Sequence, residues 1–203
     1  MTNQVLVVDD DPGVRTSLAA LLEAGGYRVG VHGDGETLIG DPDLAVAAAV
    51  LLDIEMPGRD GLSLLGDLMG RPRAPCVVMI SGHGDIPTAV QAMQRGAIDF
   101  IEKPFDPERV LDAVARAVRL SDGAQDHAPN GGALNGLSPR EREVLAHLVA
   151  GEANKVVARA LGISPRTVEV HRARIMQKLE VRSFAELVRL AIANGVTLGA
   201  ART

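Results

Sequence analysis

Four short apolar runs in this chain each end on a polar or charged side chain. Val5-Leu6-Val7-Val8 runs into Asp9-Asp10-Asp11, and Val50-Leu51-Leu52 runs into Asp53. A third run ends at Ser81 and a fourth at Lys103-Pro104. Uninterrupted apolar runs of this length read as strands buried on both faces, which is the habit of parallel sheets. Strands are expected at 4–8, 28–31, 48–52, 75–80 and 98–102. Helical patterns fall between and after them, at 13–24, 35–40, 60–69, 86–95 and 107–119. In the last of these Val110, Leu111, Val114 and Val118 recur at helical spacing. Five strand–helix repeats predict an α/β fold, a five-stranded doubly wound parallel sheet covered on both faces. Such a sheet places its chemistry at the carboxyl ends of its strands. Those ends carry an acidic cluster, a lone aspartate, a hydroxyl and a lysine.

The pattern changes after residue 120. The stretch SDGAQDHAPNGGALNG, 121–136, has four glycines and no apolar periodicity, so it reads as a flexible linker. From 137 to 203 the pattern is all helical. Ser138-Pro139-Arg140-Glu141 has the form of a capping box and opens a helix that should stop at Gly151. Asn154 is positioned to cap a second helix ending near Leu161. Gly162-Ile163-Ser164 is a tight turn, and Ser164 caps a third helix reaching about Leu179. Ser183 begins a fourth, ending near Asn194-Gly195. Short helices joined by a glycine-containing turn form a helix-turn-helix unit. Charge divides along the same line: residues 1–124 carry a net −9 and residues 125–203 a net +4. The basic half is therefore the one suited to a polyanion.

No apolar run approaches the ~18 residues needed to span a bilayer. Met1-Thr2-Asn3-Gln4 lacks the charged start of a signal peptide, so a cytoplasmic location is expected. The single cysteine, Cys76, sits in an apolar run and reads as a structural thiol.

Three carboxylates, Asp9, Asp10 and Asp53, meet at neighbouring strand ends in the expected sheet. They repel one another unless a cation intervenes. Mg²⁺ suits them, being a hard ion held by a few carboxylates, water and phosphate. An aspartate can also act as a nucleophile toward phosphorus. Lys103 offers a compact charge and Ser81 a hydroxyl to the phosphoryl oxygens. Asp11 reads as a cap for the helix starting at Pro12 rather than as a ligand. His83, beside Ser81, reads as a loop residue.

The runs VLVVDDDPG, VLLDIEMPGRDG, VVMISGHG and GAIDFIEKPF, spanning 4–120, resemble the CheY-like, flavodoxin-fold receiver domain of two-component response regulators. The resemblance implies that Asp53 accepts a phosphoryl group from a partner histidine kinase. Asp9 and Asp10 would hold Mg²⁺ together with Asp53 and the carbonyl of Glu55. Ser81 and Lys103 would bind the new phosphoryl oxygens, and Phe100 would be the switch aromatic, with a core role as its alternative. A cis bond is implied at Lys103-Pro104. In the receivers it resembles, dimers form through the face of helix 86–95, strand 98–102 and helix 107–119, with Val90, Arg95 and Ile101 as candidates here.

In the third helix of the second half, Val168, His171 or Arg172, Ile175 and Leu179 recur on one side and should face a core. Arg166, Glu169, Val170 and Ala173 fall on the other. In a helix-turn-helix that outer face enters the major groove. Arg166, Arg172, Arg174 and Lys178 bring positive charge near phosphates, and Lys155 adds a contact at the start of the second helix. The segment 137–191 is similar to the LuxR-type DNA-binding domain. The similarity makes 165–179 the recognition helix, with Glu169, Val170 and Ala173 facing bases. Lys155, Arg166, Thr167, Arg174 and Lys178 would then contact mainly backbone. It also implies a dimer contact on helix 183–194, with Leu187, Leu190 and Ala191 as candidates. Only three of the 21 basic residues are lysines, and Lys103, Lys155 and Lys178 all stand at these positions.

Together the two resemblances imply a FixJ/NarL-type response regulator that dimerises on phosphorylation and binds double-stranded promoter DNA. It would not be an enzyme beyond its own phosphorylation and slow dephosphorylation. Two alternatives stay open on the sequence: an aspartyl-phosphate phosphatase using Asp9 and Asp11, and a DNA-binding protein whose receiver is only a dimer scaffold.

Overall fold

The computed structural model describes residues 3–82, 85–123 and 133–196. The chain divides into two compact units, 1–84 with 94–126 and 85–93 with 127–203. Most of the expected linker, as well as His83, lies outside the described residues.

The first unit is built on five parallel strands: β1 Gln4–Val8, β2 Arg28–His32, β3 Ala49–Asp53, β4 Cys76–Ser81 and β5 Asp99–Glu102. Their order is β2-β1-β3-β4-β5, so the winding reverses between β1 and β3. Every residue of β1 and β3 is buried, as their unbroken apolar runs require. Alternate side chains leave opposite faces of the sheet. Val5, Val7, Ala49, Leu51, Val78, Ile80 and Ile101 join one core with Leu18 and Leu22 of α1, Pro12–Ala24, and with Val110, Ala113, Val114 and Ala117 of α5, Pro107–Ser121. Fully burying such side chains contributes roughly 1.5–3 kcal/mol each. Leu38 of α2, Gly35–Ile39, and Leu64, Leu65 and Leu68 of α3, Gly61–Met69, are also fully buried. Helix α4, Ile86–Gln94, falls in the second unit except for its last residue.

Ile101 was expected on an exposed dimer face. It is 3% exposed and belongs to the α1/α5 core, because period-two alternation turns it inward from β5.

The second unit contains α6 Pro139–Val149, α7 Asn154–Leu161, α8 Pro165–Lys178 and α9 Phe184–Ala193. The capping box at α6 forms as its sequence predicts: Ser138 Oγ accepts from Glu141 N–H, and the Glu141 carboxylate accepts from Ser138 N–H at 2.7 Å. Gly162 takes φ +65° after α7, the left-handed conformation that lets the chain turn into α8. Ser164 caps α8 and Ser183 caps α9. Asn154 does not cap α7. The cap position falls one residue earlier, at Ala153, without a side-chain bond. Val144, Leu145, Leu148, Val157, Val168, Ile175, Leu187, Val188, Leu190 and Ala191 are buried. Leu187, Leu190 and Ala191 are thus core residues and not a free dimer face; on α9 the exposed large apolar side chain is Ile192.

Candidate functional site

The reversal between β1 and β3 leaves a crevice at their carboxyl ends, the place where open α/β sheets bind ligands. Asp9 leaves the end of β1 and Asp53 closes β3; they are 0% and 3% exposed. Asp10 is exposed beside them. One carboxylate oxygen from each of the three lies within 4.8 Å of the others. Lys103, just past β5, reaches in from the other side. Its Nζ donates to Asp9 Oδ2 at 2.7 Å and to Asp53 Oδ2 at 3.0 Å. The Lys103-Pro104 peptide is cis. Ser81, 1% exposed, ends β4, and its carbonyl accepts from Lys103 N–H at 2.8 Å, tying the lysine backbone to the strand. Asp9, Asp10, Asp53 and Lys103 therefore share one crevice, and Ser81 is tied to it through its carbonyl.

Backbone contacts hold the carboxylates in place. Asp53 Oδ1 accepts from Ile54 N–H at 2.9 Å, and Asp9 Oδ1 from Asp11 N–H at 2.9 Å. Arg15 of α1 donates to the Asp9 carbonyl. Asp11 turns away as the α1 cap, accepting from Gly13 and Val14 N–H at 2.7 and 3.3 Å. It is therefore engaged as a cap and not placed as the acid/base of a phosphatase. Gly61 is required where α3 meets the strand end, since a Cβ there would lie 2.1 Å from the Asp53 carbonyl oxygen. Glu55 follows in the loop, exposed, with its carboxylate against Gly82.

Burial pushes the Asp53 carboxyl above its ordinary pKa, helped by the Asp9 charge and opposed by the Lys103 hydrogen bond. Burial pulls the Lys103 ammonium down, but its bonds to Asp9 and Asp53 outweigh this and leave it raised. Three hard oxygen donors, two of them buried and sharing a single lysine that offsets only part of their charge, form a cluster that could bind a metal ion.

Phe100 is buried in β5, and its N–H donates to Asp99 Oδ1 at 2.8 Å. Asp99 itself was not anticipated. It is fully buried and paired with Arg109 at 2.6 Å and with Arg116, both from α5. The available signal was an aspartate inside the apolar run Ile98–Ile101, with arginines seven residues apart on the following helix.

In the second unit the outer face of α8 is arranged as its period predicts. Arg166, Val170, Ala173 and Arg174 are exposed, and Glu169 is half-buried. Arg166 pairs with Glu169 at 3.2 Å. Lys155 is exposed at the start of α7. Thr167 belongs to the α8 cap, its N–H donating to Ser164 Oγ at 3.0 Å. Two expected phosphate contacts are engaged elsewhere. Lys178 Nζ lies 2.7 Å from the buried Glu141 carboxylate. Arg172 lies over the Phe184 ring at 5.9 Å. The Lys178 bond, followed by those from Ser138, lowers the Glu141 pKa to about 2.

The chain is similar to two known families, one for each unit. Residues 5–115 match the response regulator receiver domain, and residues 135–191 match the bacterial regulatory proteins of the luxR family. It is 45% identical over 196 residues to the transcriptional regulatory protein FixJ of Azorhizobium caulinodans, covering 95% of this chain and 93% of that protein. It is 42% identical to FixJ of Rhizobium meliloti, covering 94% and 96% of the two chains. Among solved structures it is similar to full-length FixJ from B. japonicum, at 37% identity and TM-score 0.53, covering 97% and 100% of the two chains. The response regulator StyR is similar at 38% identity and TM-score 0.55, over 94% and 98%.

Proposed function

Because this chain belongs to the FixJ-type response regulators, two-component transcriptional regulators that join a receiver domain to a LuxR-type DNA-binding domain, we propose that Asp53 is its phosphoacceptor and that phosphorylation there controls DNA binding. The observation that carries this is the Asp9–Lys103–Asp53 bridge: a buried carboxylate with a cation shared between it and a second carboxylate.

An Asp53 carboxylate oxygen attacks phosphorus, the bond from phosphorus to the kinase histidine nitrogen breaks, and the histidine leaves with the electron pair. Asp9, Asp10, Asp53 and the Glu55 carbonyl would hold Mg²⁺, which would offset charge on the transferring group. Lys103 leaves its bond to Asp53 Oδ2 and takes a phosphoryl oxygen, while Ser81 donates its hydroxyl to another. With Ser81 drawn to the phosphoryl group, Phe100 repacks and changes the face of β5. Two chains then associate, which places two α8 helices on one two-fold DNA site. The protein turns over no substrate beyond gaining and slowly losing its own phosphoryl group, and it works in the cytoplasm. Among the described residues no helix is long and apolar enough to cross a membrane.

Incubation with acetyl phosphate and Mg²⁺ tests the assignment. An acid-stable, base-labile phosphoryl group mapped to Asp53, absent in Asp53→Asn, is the expected result. Labelling that persists in Asp53→Asn would overturn it.

A further inference from the structure

We propose that α8 reads a cytosine through Glu169 and the methyl group of a neighbouring thymine through Val170, so that each half-site carries adjacent pyrimidines on one strand. This deepens the DNA-binding reading above and rests on it.

The outer face of α8 keeps exposed arginines, Arg166 and Arg174, on either side of its centre. Lys178 is held by Glu141, and Arg172 lies over Phe184. The centre of the face is left to Glu169, Val170 and Ala173. Arginine or lysine on guanine is the commonest specific contact in the major groove, and no such side chain stands at these central positions. A carboxylate can only accept hydrogen bonds, and in the major groove the exocyclic amine of cytosine is the donor whose edge brings no acceptor beside it. Adenine also offers an amine, but next to N7, which repels a carboxylate.

Two features fit Glu169 for this duty. Its side chain is 45% exposed, and it is paired with Arg166, itself 86% exposed. The guanidinium offsets the repulsion between Glu169 and the phosphates and limits the positions the carboxylate can take. Val170, one residue on, is 39% exposed. An exposed valine beside a base-reading acceptor suits the C5-methyl of thymine, the apolar group that the groove offers. Ala173, one turn further, leaves room for the helix to sit close to the base edges.

The test is selection from DNA with randomised half-sites, using the full chain activated with beryllofluoride, followed by affinity measurements on the selected site. The unchanged chain should select cytosine next to thymine. Glu169→Gln should move the cytosine preference toward adenine, since glutamine pairs with adenine, and leave the other positions unchanged. Discrimination at that one position should change by roughly tenfold or more. Replacing the thymine by uracil removes only the methyl group and should weaken binding roughly fourfold. In Val170→Ala the same replacement should have no effect. Should Glu169→Gln select the same sequence as the unchanged chain, or uracil bind as well as thymine, the inference is overturned while the DNA-binding reading stands. If the unchanged chain selects no sequence at all, both fall.

Discussion

Replacing Lys103 by methionine would expose the electrostatics of the acidic crevice. Asp9 and Asp53 have side chains 1% and 4% exposed, and Lys103 Nζ bridges them at 2.7 and 3.0 Å. Without the ammonium, two buried carboxylates face each other within 4.8 Å. At an effective dielectric near 20, their repulsion is about 3.5 kcal/mol. Stranding buried charges by removing one partner typically costs 3–5 kcal/mol in all, roughly. Lys103→Met should therefore lose about 3–5 kcal/mol of receiver stability at neutral pH without metal.

The pH dependence has a definite sign. Burial raises the folded-state pKa of Asp53, so its contribution is stability present at low pH and lost as pH rises through that folded value. Removing the lysine raises this pKa further and deepens the effect. The variant should recover toward the parent as pH falls and Asp53 takes a proton. Mg²⁺ should recover it at neutral pH by replacing the missing charge. Urea unfolding followed by tyrosine fluorescence suits the question. The chain has one tyrosine and no tryptophan, and Tyr27 packs against the receiver core, so the signal reports that unit. An unfolding midpoint equal to the parent's at neutral pH without metal would refute the reasoning. A loss that neither acid nor Mg²⁺ relieves would place the effect in packing rather than charge.

Gly61→Ala should destabilise the receiver by roughly 1–3 kcal/mol or more, because the added methyl meets the Asp53 carbonyl oxygen; the same urea titration reads it. Asp99→Asn should cost roughly 3–5 kcal/mol by leaving Arg109 and Arg116 without their fully buried partner, and a variant as stable as the parent would show that the pair contributes nothing net. In the second unit Glu141 has its pKa lowered to about 2, so its contribution is present above the ordinary carboxyl pKa and is lost as pH falls toward about 2. Lys178→Met should bring the Glu141 pKa back up, measured by NMR titration. It should also leave the salt dependence of DNA binding almost unchanged, whereas Lys155→Met should reduce the slope by about 0.9, the value for one phosphate contact.

The receiver was legible in the sequence to within a residue or two at each strand, because fully buried parallel strands are written as unbroken apolar runs. Their ends also bring Asp9, Asp53, Ser81 and Lys103 to the same edge of the sheet. What a linear pattern conceals is which charged groups meet. Glu141 and Lys178 are 37 residues apart, so sequence spacing alone makes the lysine a phosphate contact. The period of α8 fits Arg172 to either core or groove, and only the fold brings the Phe184 ring of α9 beneath it. Ile101, Leu187, Leu190 and Ala191 carry no mark separating a core face from an association face, since both are apolar. The site also hides Asp99, whose two arginines become partners only when α5 packs on the sheet.

A phosphoryl group on Asp53 is proposed to change how this protein meets DNA. The most direct test is the affinity for one promoter fragment, measured with and without beryllofluoride and Mg²⁺, for the unchanged chain and for Asp53→Asn. Beryllofluoride should tighten binding by the unchanged chain and leave Asp53→Asn unaffected. Equal affinity of the unchanged chain in both conditions, or an equal response from Asp53→Asn, would contradict it.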